Sequence, residues 1–223
     1  MHRDTRLGSL FFAAAALGVP VAIAGAVVRD GGRSPAPLAG MLRMAHGMVT
    51  EERGLALVER HADALRTAAA EHDVSPHLLG GIMFAESRGR SGQVSAAGAL
   101  GLMQLVPGAA RDAARRAGLE VPSDDEALRQ VLLKDEALNV RLGAAHLAWL
   151  LEHRGRWSLE AVLVSYNAGR AKLFRWIDRH GSYEGWVLSE ETARARGDRT
   201  TGALAYARQV LRARDALRER AVL

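Results

Sequence analysis

The sequence predicts a mainly α-helical domain. Three observations carry that expectation. Alanine, leucine and arginine dominate, and β-branched residues are few outside short runs. Apolar positions recur at three- and four-residue spacing, and serine-led starts alternate with glycine stops. Small and straight-chain residues lose little freedom in a helix, and three–four spacing gathers apolar side chains on one helical face. With 223 residues, 48% of them hydrophobic, the chain can bury one compact core and still carry extensions.

His2, Arg3 and Arg6 precede an uncharged stretch from Leu7 to Val28, which Arg29 and Asp30 close. A basic start followed by an apolar run has the layout of an export signal. Pro20 and the small residues Ala22-Ile23-Ala24 and Ala24-Gly25-Ala26 favour a cleaved signal peptide. The run is also long enough to remain as an anchor in the inner membrane. Residues 1–28 are therefore expected to be a signal peptide or an N-terminal membrane anchor. Either form places the rest of the chain beyond the cytoplasm, in the periplasm or cell envelope. Residues 29–45, with Gly31-Gly32, Ser34-Pro35 and Ala36-Pro37, read as a linker, and residues 46–221 as the folded domain.

Within that domain a first helix is expected from about Glu51 to Glu71. Ser75 then serves as N-cap with Pro76 at the first helical position, for a helix ending near Arg88-Gly89. Residues 91–106 are rich in glycine, serine and alanine and read as a structured loop or short hairpin. Pro107 opens another helix, which Gly118 stops. Ser123 is expected to cap a helix over 124–133, whose acidic first turn suits the helix dipole. The helix over 136–153 carries an apolar stripe at Ala137, Val140, Ala144, Leu147 and Leu151. Ser158 caps the helix holding Val162, Leu163 and Tyr166, with Gly169 after it, and a last helix covers 202–221. No internal repeat interrupts this order.

The composition excludes several classes. The chain has no cysteine, so it has neither disulfides nor thiolate metal sites. Its net charge of +5 suits an anionic surface, or solubility alone. No run of five basic residues appears, which argues against a nucleic-acid arm. His46, His61, His72, His77, His146, His153 and His180 are scattered without the acidic spacing of zinc sites. Trp149, Trp157, Trp176 and Trp186 suit core or rim packing, with sugar stacking as the alternative.

One residue stands out chemically. Leu79, Ile82 and Glu86 fall at i, i+3 and i+7, so Glu86 continues an apolar helical face. A carboxyl there loses water and its pKa rises, as a general acid near neutral pH requires. The alternative is a solvated glutamate paired with Arg88 or Arg90. No aspartate or glutamate occurs from Ser87 to Arg111, so a nearby carboxylate pair of the usual glycosidase kind is not at hand.

The surrounding residues resemble the soluble lytic transglycosylase family. Ala85-Glu86-Ser87 is followed by Ser95-Ala96-Ala97-Gly98-Ala99-Leu100-Gly101-Leu102-Met103-Gln104 and by Pro107. Ser165-Tyr166-Asn167-Ala168-Gly169 is similar to the family's Tyr-Asn-Ala-Gly motif, and Asn139 with Gly143 to its Asn-x-x-x-Gly. The resemblance implies a lysozyme-like helical domain with a glycine-rich loop or short hairpin at the cleft. It implies Glu86 as the catalytic acid/base, and Ser95, Met103, Gln104, Tyr166 and Asn167 as substrate-binding residues. The Tyr166 hydroxyl is expected near the Glu86 carboxyl.

The substrate implied is the glycan of peptidoglycan, cut at the β-1,4 bond between N-acetylmuramic acid and N-acetylglucosamine. The product is a 1,6-anhydro end, and no metal or cofactor is required. A goose-type lysozyme-like hydrolase and a non-catalytic wall-binding protein stay open as alternatives. The sequence departs from the family in two places. Glu191-Thr192 precedes an arginine-rich stretch, and Tyr206 comes late, so the family's Asp/Glu-Thr-x-x-Tyr-Val segment holds an insertion here or its match is accidental. Val106 stands where the family commonly has methionine.

Overall fold

The computed structural model describes residues 36–155, 157–221 and 223. The expected signal or anchor, residues 1–28, lies outside the described residues. Ten helices occur among those described: α1 (Ala36–Glu59), α2 (Ala62–Glu71), α3 (Pro76–Ser87), α4 (Pro107–Ala117), α5 (Asp125–Lys134), α6 (Glu136–Glu152), α7 (Leu159–Ala168), α8 (Arg170–His180), α9 (Tyr183–Arg196) and α10 (Ala203–Glu219). None is long and apolar enough to cross a membrane. The compact unit that carries the site runs from Gly54 to Leu223.

Local chemistry sets most of the boundaries. The Ser75 hydroxyl accepts from Leu78 N at 3.3 Å, and Pro76 begins α3 as expected. Pro107 opens α4, and Gly118, at φ 64°, closes it. Ser158 accepts from Ala161 N at 3.2 Å and starts α7.

Four expectations need correction. Helix α1 starts at Ala36, inside the stretch read as a linker. The helix expected over 51–71 is divided at Arg60–His61, where the His61 ring turns to the Gly89 carbonyl at 3.1 Å and to Glu136 at 3.3 Å. Asp124 rather than Ser123 caps α5, accepting from Ala127 N at 2.8 Å. Residues 170–196, to which the sequence assigns no particular element, form α8 and α9. Trp176 stacks on the buried Trp186 at 5.1 Å to join that pair.

The core is built around α6, against which α2, α4, α5 and α7 pack. Its buried face holds Val140, Leu142, Ala144, Leu147 and Leu150. Ala137 is exposed and Leu151 only partly covered, so the stripe is turned slightly from its expected position. Helix α10 lies along both α3 and α7. Its approach to α3 depends on Gly81, where a Cβ would sit 2.6 Å from the Val210 carbonyl and 3.1 Å from Arg214 N. Neither backbone atom can rotate away, so any larger residue pushes the helices apart.

Gly81→Ala is accordingly expected to destabilise the fold by about 1–3 kcal/mol, the usual cost of overpacking. Gly108→Ala, in an exposed turn of α4 with nothing within 4 Å, serves as the control and should leave stability unchanged or slightly raised. Thermal unfolding of the two variants checks the pair. Equal melting temperatures would contradict the close packing of α3 and α10.

Candidate active site

Four segments converge on the end of α3. The first is the loop between α3 and α4, wound as two consecutive tight turns. Ser95 N donates to the Ala99 carbonyl at 2.9 Å, and Leu100 and Leu105 exchange main-chain hydrogen bonds at 3.0 and 3.1 Å. The expected short hairpin is thus present only as isolated bridges, Val94 to Leu100 and Leu100 to Leu105.

Asn139 of α6, fully buried, holds the loop from beneath. Its Oδ1 accepts from Met103 N at 2.8 Å, and its Nδ2 donates to the Leu100 and Leu132 carbonyls at 3.0 and 3.1 Å. Gly101, at φ 76°, lets the main chain pass so near that a Cβ would stand 2.5 Å from Asn139 Nδ2. Gly143 leaves the room that Met103 fills.

Glu86 lies in the last turn of α3, ahead of Arg88, which adopts the left-handed conformation at φ 56° and ends the helix. The arginines that could have neutralised it point elsewhere. Arg88 lies over the Phe84 ring at 4.3 Å, and Arg90 Nε donates to the Ser87 carbonyl at 3.3 Å. Burial pushes the Glu86 carboxyl up from 4.5 to about 7, and the Tyr206 hydroxyl beside it partly offsets the rise. Among the described residues no second carboxylate contributes to its titration. A lone carboxyl at this value exchanges its proton near neutral pH, so it can act first as acid and then as base.

Two tyrosines flank it. Tyr206 of α10 is coupled to Glu86, and its hydroxyl is buried without a formed hydrogen bond to any described residue. The phenol thus lies against the carboxyl but stops short of a full bond in this geometry. Tyr166 of α7 is also held well above the ordinary tyrosine value, by burial first and then by the charge on Glu86. Its hydroxyl donates to the Met103 carbonyl at 3.4 Å and makes no hydrogen bond to Glu86. Tyr166 thus feels the charge on Glu86 without bonding to it, whereas Tyr206 lies against the carboxyl.

The other predicted residues divide. Ser95 closes the loop, its hydroxyl accepting from Ala99 N at 3.0 Å. Gln104, at φ 48°, donates through Nε2 to the Gly101 and Gln93 carbonyls at 2.8 and 3.2 Å. Both remain partly exposed and can meet a ligand. Asn167 is exposed beside Tyr166. Met103 is a correction. Its side chain is fully buried against Gly143, so it packs the loop onto α6 and presents no side-chain surface to a ligand.

Tyr206 is the residue that sequence reasoning left undecided. Glu190, buried in α9, accepts from Thr201 N at 3.0 Å and Thr201 Oγ1 at 2.8 Å. That anchor fixes the start of α10 and sets Tyr206 into the site. Among the described residues no group of histidine and carboxylate side chains could hold a metal ion.

An all-helical fold with one high-pKa carboxyl at a helix end, beneath a glycine-rich loop, defines a lysozyme-like domain. Residues 63–189 match the transglycosylase SLT domain, more than half of the chain. The chain belongs to that family. It is 38% identical over 117 residues to an endo-type membrane-bound lytic murein transglycosylase A of Klebsiella pneumoniae, covering 48% of this chain and 54% of that protein. It is 28% identical over 126 residues to a transglycosylase of Enterobacteria phage PRD1, covering 56% of this chain and 41% of that protein.

Among solved structures, an inactive mutant of lytic transglycosylase Slt from Pseudomonas aeruginosa superposes with a TM-score of 0.57 at 26% identity, over 72% of this chain and 24% of that one. The soluble lytic transglycosylase Slt70 of Escherichia coli shares the fold, with a TM-score of 0.54 at 22% identity over 70% of this chain and 23% of that one. The chain thus spans about half the length of the Klebsiella relative and about a quarter of these larger enzymes.

Two outcomes follow from the electrostatics. A buried glutamate whose folded value is about 7 against 4.5 unfolded keeps its full contribution to stability below about pH 4.5 and loses it as pH rises through 7. The loss amounts to roughly 3 kcal/mol at alkaline pH. Glu86→Gln, which carries no charge, should therefore match the parent at pH 4 and exceed it in chemical denaturation at pH 8. A pH-independent difference would contradict the burial of Glu86. Tyr206→Phe removes a buried hydroxyl that lies against Glu86 without a full hydrogen bond, so its stability should change by less than about 1 kcal/mol. The Glu86 titration, followed by carboxyl NMR, should move above 7 in this variant. An unmoved titration would separate Tyr206 from the carboxyl.

Proposed function

We propose that this chain is a peptidoglycan lytic transglycosylase that cleaves the β-1,4 bond between N-acetylmuramic acid and N-acetylglucosamine and leaves a 1,6-anhydro end. The observation that carries the reading is the single carboxyl of Glu86, poised at about 7 with no second carboxylate beside it. Water-using glycosidases of the usual kind divide the work between two carboxylates. One group suffices when the substrate supplies the nucleophile.

In the reaction, protonated Glu86 gives its proton to the bridging oxygen as the bond from that oxygen to the muramic C1 breaks. The substrate's own acetamido oxygen stabilises the charge left on C1. The Glu86 carboxylate then accepts the proton of the muramic C6 hydroxyl as that oxygen closes onto C1. The carboxyl ends as it began, and no water is consumed. Tyr206 holds the carboxyl towards the sugar, Tyr166 closes the site beside it, and their own raised values keep both phenols protonated throughout. Ser95, Gln104 and Asn167 line the cleft as polar contacts to the glycan.

The same reading covers the organisation of the chain. Residues 46–221 form the catalytic domain, and residues 1–28, a basic start and an apolar run, direct it to the cell envelope as a signal or inner-membrane anchor. The membrane-bound murein enzymes among its relatives support that placement.

Purified protein incubated with cell-wall sacculi should release muropeptides lighter by one water than hydrolytic products, as mass spectrometry reads directly. Release should decline above about pH 7 as the acid form of Glu86 is lost. Glu86→Gln should lower the rate by at least about 10²–10⁴ while the fold persists. Products carrying an added water would replace this mechanism with hydrolysis, and full activity of Glu86→Gln would end the assignment.

A further inference from the structure

A ladder of aromatic rings and guanidinium groups leads away from Tyr166 and has no part in the chemistry above. The His146 ring meets Tyr166 edge-on at 5.2 Å, and Trp149, one turn further along α6, stacks on His146 at 6.0 Å. Arg116, at the end of α4, lies over Trp149 at 4.1 Å. Arg170, the first residue of α8, lies over the same indole at 4.9 Å and over Phe174 at 5.7 Å. Phe174 leans on Trp157 at 5.0 Å and is 48% exposed.

The charge on this surface is unbalanced. Two guanidinium groups share one indole, although like charges gathered in this way repel. Arg116 reaches Asp112 only at 3.7 Å, and Asp112 already binds Arg115 closely. Arg170 has no carboxylate partner among the described residues and is held by ring faces alone. Burial, with the Arg116 charge adding to it, pushes His146 down to about 4, so that ring stays neutral. The platform therefore offers two forked donors and an exposed apolar ring, continuous with the cleft through Tyr166.

From this geometry we infer that Arg116, Arg170, Trp149 and Phe174 bind a carboxylate of the peptide stem that hangs from the glycan strand. The inference rests on the proposed peptidoglycan substrate and names the part of it that this face recognises. Guanidinium forks match carboxylates in paired hydrogen bonds, and the ring of Phe174 suits the aliphatic portion of an amino-acid residue. Uncharged sugar hydroxyls would leave the two positive charges unanswered. Charge complementarity thus favours the stem over a further sugar ring.

The test uses the full chain carrying Glu86→Gln, so that substrate is not consumed, titrated with stem peptides released from sacculi by an amidase. Saturable binding, seen as a change in tryptophan fluorescence, is expected. Arg170→Gln should weaken it about tenfold, the loss of one charge-assisted contact, with an unchanged melting temperature. Phe174→Ala, at an exposed position, provides a second variant and should also weaken binding. Absence of saturable binding, or equal binding by both variants and the parent, overturns the inference. Equal competition by inorganic phosphate overturns it in favour of an unselective anion patch. The turnover assay on sacculi stands apart: anhydro products without stem binding end this inference alone, and stem binding without anhydro products ends the proposed function alone.

Discussion

Asn139 satisfies three main-chain groups at once, Met103 N and the carbonyls of Leu100 and Leu132, in a place closed to water. The loop it holds crosses over itself in two tight turns, and turns of that kind leave main-chain groups without helical or strand partners. Buried and unpaired, each such group would cost about 1–3 kcal/mol. One amide side chain removes that penalty and fixes the loop against α6. The rest of the site takes its position from this anchor. Met103 packs on Gly143, its carbonyl receives the Tyr166 hydroxyl, and Gln104 is turned into the left-handed region above it.

The acid is produced by subtraction. The helix face that carries Glu86 is apolar, the neighbouring arginines are turned onto Phe84 and the Ser87 carbonyl, and among the described residues no other carboxylate approaches. What is left near the carboxyl is a pair of phenols, which can donate hydrogen bonds yet stay uncharged. Stability is sacrificed for this arrangement, since an ionised Glu86 sits in surroundings built for its neutral form. Balance is restored elsewhere, in the dense packing of α3, α6, α7 and α10.

Much of this was legible in the sequence, and the reasons are local. The start of α3 at Ser75-Pro76, the end of α4 at Gly118 and the start of α7 at Ser158 are written in residues that act on their own helix ends. Glu86 was legible because its spacing from Leu79 and Ile82 is a helical fact. The division between Arg60 and His61 was not, because it depends on His61 reaching Gly89 and Glu136 across the fold. Met103 was misassigned for a related reason: whether a methionine in a loop faces a ligand or the core depends on Gly143, far along the chain. Tyr206 escaped because no local pattern ties it to Glu86. The task of setting the start of α10 passed to Glu190 and Thr201, which no local pattern links. Residues 170–196 lack a strong start signal at Gly169, which caps α8 without any side-chain bond.

The close seat of α10 on α3 at Gly81 has a consequence for the order in which the site is assembled. Glu86 and Tyr206 lie far apart along the chain, and α10 is the last helix described. Before α10 docks, the outer side of α3 is open to solvent, and a carboxyl in water ionises in its ordinary range. The carboxyl is raised only when α10 closes over it. The surroundings that raise the Glu86 carboxyl are therefore complete only once α10 has docked on α3.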